Sequence, residues 1–258
     1  MGEPREPHAT FPRVRGGLPL SAPFAWLRRG ARDVRRCGIA SLFFGLCFAT
    51  GGVLLLVAFR SAVEWVTAVT TGFMLLGPLL CIGLYELSRQ HEAGEPISLA
   101  RALMVWQRNI GAFGIYSLIL IVIYLVWARA SMVIFALFYQ GGMPTMASFL
   151  TQITAFDNVE FLLAYVVIGG FFALLVFGFS VVAIPLMLDR NQDAVTAMLA
   201  SASALLRNLP MLLIWAALIV LAAAVGFATG LVGLVFTMPL VGHATWHAYR
   251  ALIEPAAP

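Results

Sequence analysis

Apolar residues gather in six long runs, approximately Gly38–Phe59, Val63–Leu84, Ile110–Trp127, Phe161–Leu188, Met211–Ala228 and Leu231–Trp246. A helix needs about 20 such residues to cross a hydrocarbon core of about 30 Å. The pattern predicts an all-α, polytopic membrane bundle of six transmembrane helices arranged as three hairpins. Its boundaries are a disordered tail at 1–22, an interfacial amphipathic helix at 23–37 and a six-span membrane domain at 38–258. The third run is expected to end near Trp127, with Arg129 at the outer interface and Met132–Leu150 lying along the surface. The last two runs are too long for one span, and Gly226, Gly230 and Gly233 supply a break between them.

Three shorter segments precede the hairpins and carry apolar residues at three- and four-residue intervals between basic flanks. They are Phe24, Leu27, Ala31 and Val34; Leu99, Leu103 and Trp106; and Val195, Met198, Ala202 and Leu205. That spacing describes a helix lying in the plane of the interface. The second span of each hairpin carries Pro-Leu: Pro78-Leu79, Pro185-Leu186 and Pro239-Leu240, followed by Arg89, Arg190 and Arg250. Proline removes a backbone hydrogen bond and kinks a helix. An in-plane helix, an outward span and a kinked inward span thus recur three times, by common origin or by convergence of membrane-edge composition.

Charge fixes the expected orientation. Fourteen of the sixteen arginines fall on one side of the runs, leaving only Arg60 and Arg129 on the other, and the chain has no lysine. Arginine near span ends is retained in the cytoplasm. The expectation is therefore a bacterial inner-membrane protein with both termini inside and anionic headgroups held at the N-terminal arginines. Nucleic-acid binding does not fit arginines interleaved with an apolar face. Cys37, Cys47 and Cys81 are odd in number, lack metal-ligand spacing and lie toward the reducing side, so no disulfide is expected.

Candidate chemistry is sparse. His243 and His247 are four apart on one helical face, a spacing that suits a shared divalent metal; Asp189, Glu86 and His91 are the groups that could complete it. The alternative reading makes His243, Thr245, His247 and Tyr249 a polar belt at the membrane edge, beside Trp246 as an interfacial anchor. Asp189-Arg190 reads as a local pair or helix stop, and Arg60 with Glu64 as a rim ion pair. Span centres lack Asp, Glu, Lys, Arg and His, the groups that relay charge in coupled transporters. No cofactor and no catalytic residue is expected.

Three motifs carry a resemblance: 77–89 (Gly-Pro-Leu-Leu-Cys-Ile-Gly-Leu-Tyr-Glu-Leu-Ser-Arg), 184–190 (Ile-Pro-Leu-Met-Leu-Asp-Arg) and 239–250 (Pro-Leu-Val-Gly-His-Ala-Thr-Trp-His-Ala-Tyr-Arg). From about Trp26 to Leu252 the chain resembles a bacterial membrane-protein family, domain of unknown function twenty-one eighty-nine. Members are sometimes labelled cytochrome c oxidase subunits, which implies a respiratory complex as a partner. The expected function is a non-enzymatic accessory or scaffold protein of a membrane complex or of lipid organisation. Two alternatives stand beside it: a carrier for an uncharged or lipid-like molecule, and a metal or redox auxiliary using His243 and His247.

Overall fold

The computed structural model describes residues 11–61, 80–138 and 159–255. The helices are α1 (Ala22–Cys37), α2 (Ile39–Ser61), α3 (80–92), α4 (Leu99–Met104) with a 3-10 extension (Val105–Asn109), α5 (Ile110–Phe138) and α6 (Val159–Ser180). They continue as α7 (Ala183–Arg190), α8 (Ala194–Arg207), α9 (Leu209–Ala228) and α10 (Leu234–Leu252). Among the described residues there is no strand, and one isolated antiparallel bridge joins Val14 to Ile253.

Among the described residues four helical stretches are long and apolar enough to cross a membrane: Ile39–Ala58, Leu99–Phe138, Val159–Arg190 and Leu209–Ala228. They carry the first, third, fourth and fifth apolar runs. Most of the second run lies outside the described residues, as do Pro78 and the side chains of Arg60 and Glu64. The sixth run forms α10, which does not reach the same apolarity. Its second half reads Gly-His-Ala-Thr-Trp-His-Ala-Tyr-Arg, and Gly242–Trp246, Ala248 and Tyr249 are all buried within the protein.

The helices divide into two compact units, Met1–Ser117 with Gly178–Pro258, and Leu118–Phe177. In the smaller unit, Trp127 packs edge-on to Tyr165 with ring centroids 5.3 Å apart and against Phe172 at 5.6 Å. Gly169 makes room for the Trp127 ring. Here one expectation fails: α5 runs unbroken through Arg129 to Phe138. Nothing between Ala128 and Phe138 is Gly or Pro, so the backbone has no local reason to stop. Residues 139–150 lie outside the described set.

In the larger unit α10 is the central element, packed on α1, α2 and α9. The fourth run is interrupted at Val181–Val182, ahead of Pro185. A proline ring clashes with the carbonyl four residues before it, here that of Val181. The Val182 N–H freed by the break donates to Ser201 Oγ at 3.2 Å. Pro239 instead sits inside a continuous α10. Between α9 and α10 the chain turns through Gly230 at φ 66° and Leu231 at φ 72°, the break that the glycines predict.

The amphipathic segments are helical where expected, but α1 buries a different face. Pro23, Trp26, Gly30, Asp33 and Cys37 are buried, whereas Phe24 is exposed and Leu27, Ala31 and Val34 are half-buried. The buried stripe is one residue out of register, a rotation of about 100°. The disordered tail also needs correction over residues 11–21. Arg15 N donates to Leu252 O at 2.8 Å, Glu254 N to Arg13 O at 3.0 Å and Arg207 Nη1 to Val14 O at 3.0 Å. Asn208 Nδ2 donates to Arg15 O at 2.8 Å. Backbone groups that a polar composition would leave to water find partners in the neighbouring chain ends. These contacts gather the N-terminal segment, the end of α8 and the C-terminal segment at one end of the unit.

Candidate functional site: a closed polar cluster between α1, α3 and α10

Each helix contributes polar residues at helical spacing: Asp33 from α1, Ser88 and His91 from α3, and His243 and His247 from α10; α2 adds Ser41. Glycines let these helices approach closely. A Cβ at Gly45 would lie 2.1 Å from the Val235 carbonyl oxygen, and one at Gly242 would lie 2.5 Å from a Leu84 methyl. Ser41, Ser88, Asp33 and His243 are buried.

Asp33 Oδ2 lies 2.7 Å from Ser88 Oγ and 2.8 Å from His247 Nε2, and Oδ1 lies 2.8 Å from His91 Nδ1. Burial pushes the Asp33 carboxyl up, but hydrogen bonds from His247, Ser88 and His91, with the charge of His247, hold it below the ordinary carboxylate range. As a carboxylate it only accepts hydrogen bonds, and that settles the remaining protons. The Ser88 O–H donates to Asp33. The Ser88 oxygen, 2.6 Å from His243 Nδ1, must then accept from a protonated Nδ1. His243 Nε2 is left as the acceptor for the Ser41 O–H at 2.8 Å. A single chain of donation therefore runs from Ser41 through His243 and Ser88 to Asp33.

Around this core the other acids are also engaged. Glu86 is buried and receives Arg89 Nε at 2.7 Å, Arg89 Nη2 at 2.9 Å and Gln90 Nε2 at 3.0 Å. Gln90 Oε1 in turn accepts the Ser98 N–H that opens α4. Glu92 accepts from Trp246 Nε1 at 2.8 Å and from Arg250 Nε at 3.0 Å. Asp189 accepts from the Tyr249 hydroxyl at 2.5 Å and stands 3.7 Å from Arg250 Nη1. The Arg190 guanidinium donates to the Glu254 carbonyl, so Asp189-Arg190 is not a local pair, but it does stand where the helix stops, at the end of α7. Trp246, expected as an interfacial anchor, is buried against Tyr249.

The sequence placed His243 and His247 on one face, and the structure agrees, but they have different partners. Both ring nitrogens of His243 face hydroxyls, and His247 faces Asp33. Asp189 and Glu86 are turned to Tyr249 with Arg250 and to Arg89 with Gln90. Among the described residues no group of three or more His, Cys, Asp or Glu is placed to hold a metal ion. Asp33, Ser41, Ser88 and Glu92 were missed. One available signal was that Asp33 is the only acid between residues 7 and 63, in a stretch rich in arginine.

The arrangement can clamp four helices and hold one negative charge. Ser41 has the polarity of an activated hydroxyl beside an accepting imidazole, yet it is fully buried.

No curated protein and no solved structure matches the chain. The family match is narrower than the motifs suggest: 77–89 lies inside it, 184–190 all but its last residue, and 239–250, the most distinctive, lies outside. The resemblance read from those motifs is met by the family model described as a predicted integral membrane protein (DUF2189), which matches residues 66–189 of the chain.

Proposed function

We propose that this chain is a non-enzymatic, multi-pass protein of the bacterial cytoplasmic membrane, an accessory or scaffold subunit with both termini inside. One observation carries the reading: the buried polar groups of the cluster satisfy one another. A catalytic or ion-coupling site aims donors and acceptors at a place where a ligand will sit. In this cluster each is aimed at another helix, which suits a rigid body that presents surfaces. Ile115, Leu118, Val122, Leu125 and Val126 on α5, with Leu163, Val166 and Phe171 on α6, are exposed apolar residues available to lipid or a membrane partner. On α1, Arg28, Arg29, Arg32, Arg35 and Arg36 are exposed, and no acid faces them from their own helix because Asp33 points inward. Each basic residue close to an anionic leaflet contributes about 1 kcal/mol.

Purification of the full chain from native membranes in mild detergent tests the reading. A stoichiometric membrane partner, or a stable shell of anionic lipid, is the expected result. Uptake of a lipid-like solute by vesicles carrying the protein would overturn it, as would haem or a transition metal bound near one per chain.

A further inference from the structure

A second site lies away from the polar cluster, where the N-terminal segment, α8 and the C-terminal segment meet. A cavity of about 350 Å³ is lined there by Phe11, Arg13, Ser203, Arg207 and Glu254, among others. That volume is within the range of small-molecule sites, about 300–1,000 Å³. We propose that it binds a zwitterionic phospholipid headgroup of the phosphoethanolamine type, with the phosphate on Arg13 and Arg207 and the ammonium on Glu254. The assignment stands whether or not the chain has a protein partner.

Three observations support it. The walls are held by backbone pairing: Val14 bridges to Ile253, and Glu254 N donates to Arg13 O at 3.0 Å. Arg207 is aimed by donating one guanidinium N–H to Val14 O at 3.0 Å, which leaves its other N–H groups for a ligand. Next, the charges do not cancel one another. Among the described residues, no hydrogen bond or ion pair engages the Arg13 guanidinium or the Glu254 carboxylate. Two cations and one anion around one cavity match a ligand with a phosphate at one end and an N–H-rich ammonium at the other. Guanidinium favours phosphate because its N–H groups form a planar fork.

The third observation is depth. Arg207 and Asn208 immediately precede α9, which is apolar from Leu209 to Ala228 and long enough to cross the membrane. Leu206 and Leu209, which flank Arg207 and Asn208 in the chain, are exposed. The cavity therefore sits at the polar end of a span, the level of lipid phosphates, with apolar surface next to it for the acyl chains.

The test uses the full chain in detergent, with lipids added at defined ratios and complexes counted by native mass spectrometry. Phosphatidylethanolamine should bind about tenfold or more tightly than phosphatidylcholine, whose quaternary ammonium has no N–H, and more tightly than phosphatidylglycerol. Glu254→Gln should bring ethanolamine and choline lipids to similar affinity. Arg13→Gln should weaken both by about tenfold. Among the described residues neither side chain bonds elsewhere, so the lipid-free unfolding midpoint of each variant should equal that of the wild type; a lowered midpoint would show that they hold the fold and would overturn the proposal. Equal or tighter binding of phosphatidylglycerol would overturn the ammonium contact. Free O-phosphoethanolamine displacing the lipid at the lipid's own concentration would overturn the assignment to a membrane lipid.

Discussion

Gly30 of α1 lies against the backbone of Ala244 in α10, where a Cβ would stand 2.7 Å from the Ala244 nitrogen and 2.9 Å from the Leu240 carbonyl oxygen. Asp33 follows Gly30 by less than a turn, and Ala244 lies between His243 and His247. The close approach is therefore what brings the carboxylate within reach of His247 and Ser88.

Gly30→Ala should force α1 and α10 apart, since the obstacle is backbone and cannot rotate away. Overpacking of this kind costs about 1–3 kcal/mol, which should lower the thermal midpoint in detergent by several degrees. Gly114→Ala serves as the contrast. Among the described residues nothing lies within 4 Å of a Cβ there, and replacing a helical glycine gains about 0.5–1 kcal/mol. Equal midpoints for the two variants would show that the contact does not constrain the fold.

His243 is predicted to act through its two hydrogen bonds. His243→Leu leaves the Ser41 O–H without its imidazole acceptor in the interior, at about 1–3 kcal/mol, and removes the donor to the Ser88 oxygen, whose O–H keeps its bond to Asp33. His243→Gln keeps a donor and an acceptor and should recover part of that loss. The His243→Gln, His247→Gln double variant should insert and fold. Elemental analysis of untagged wild-type protein decides the competing reading: one transition-metal ion per chain, lost in the double variant, would make the histidines ligands.

Acid should weaken the cluster through Asp33. Its carboxyl is held below the ordinary range in the folded protein, whereas an unfolded aspartate titrates at about 3.9. Its contribution is therefore fully present above about pH 4 and disappears as the pH falls through the lower, folded value. His91, His247, His243 and Ser88 surround the group, so the informative quantity is the difference between wild type and Asp33→Asn. The wild-type midpoint should fall more steeply below pH 4 than that of the variant; parallel curves would refute the assignment of the charge to Asp33.

The spans legible in the sequence were those in which every face of the helix is apolar, as in α2, α5, α6 and α9. Rotation about the axis was harder to read. In α1 the visible apolar stripe through Phe24 and Leu27 is offset from the buried one through Trp26, Gly30 and Asp33, because a glycine and a charged residue do not mark a core face by hydropathy. His243 and His247 were visible as a pair by spacing. Their partners were not, since Ser41, Asp33 and Ser88 are 155 to 214 residues away and hydroxyls near helix ends are common. The pairing of residues 13–15 with 252–254 was equally hidden, because it depends on two chain ends meeting.

Sidedness is the last prediction, and it rests on arginine. The segments expected inside touch one another: Arg207 with Val14, Arg190 with Glu254, and Trp246 with Glu92. They are therefore expected to share one side of the membrane, the side to which the sequence pattern assigns fourteen of the sixteen arginines. In a background with Cys37, Cys47 and Cys81 replaced by Ser, single cysteines at the exposed positions Ala93 and Ala228 report the two faces. A membrane-impermeant maleimide applied to intact spheroplasts should label Ala228→Cys and leave Ala93→Cys untouched. Inverted vesicles should give the opposite pattern. Labelling of both positions from the same side would place α9 within one leaflet and remove it as a span.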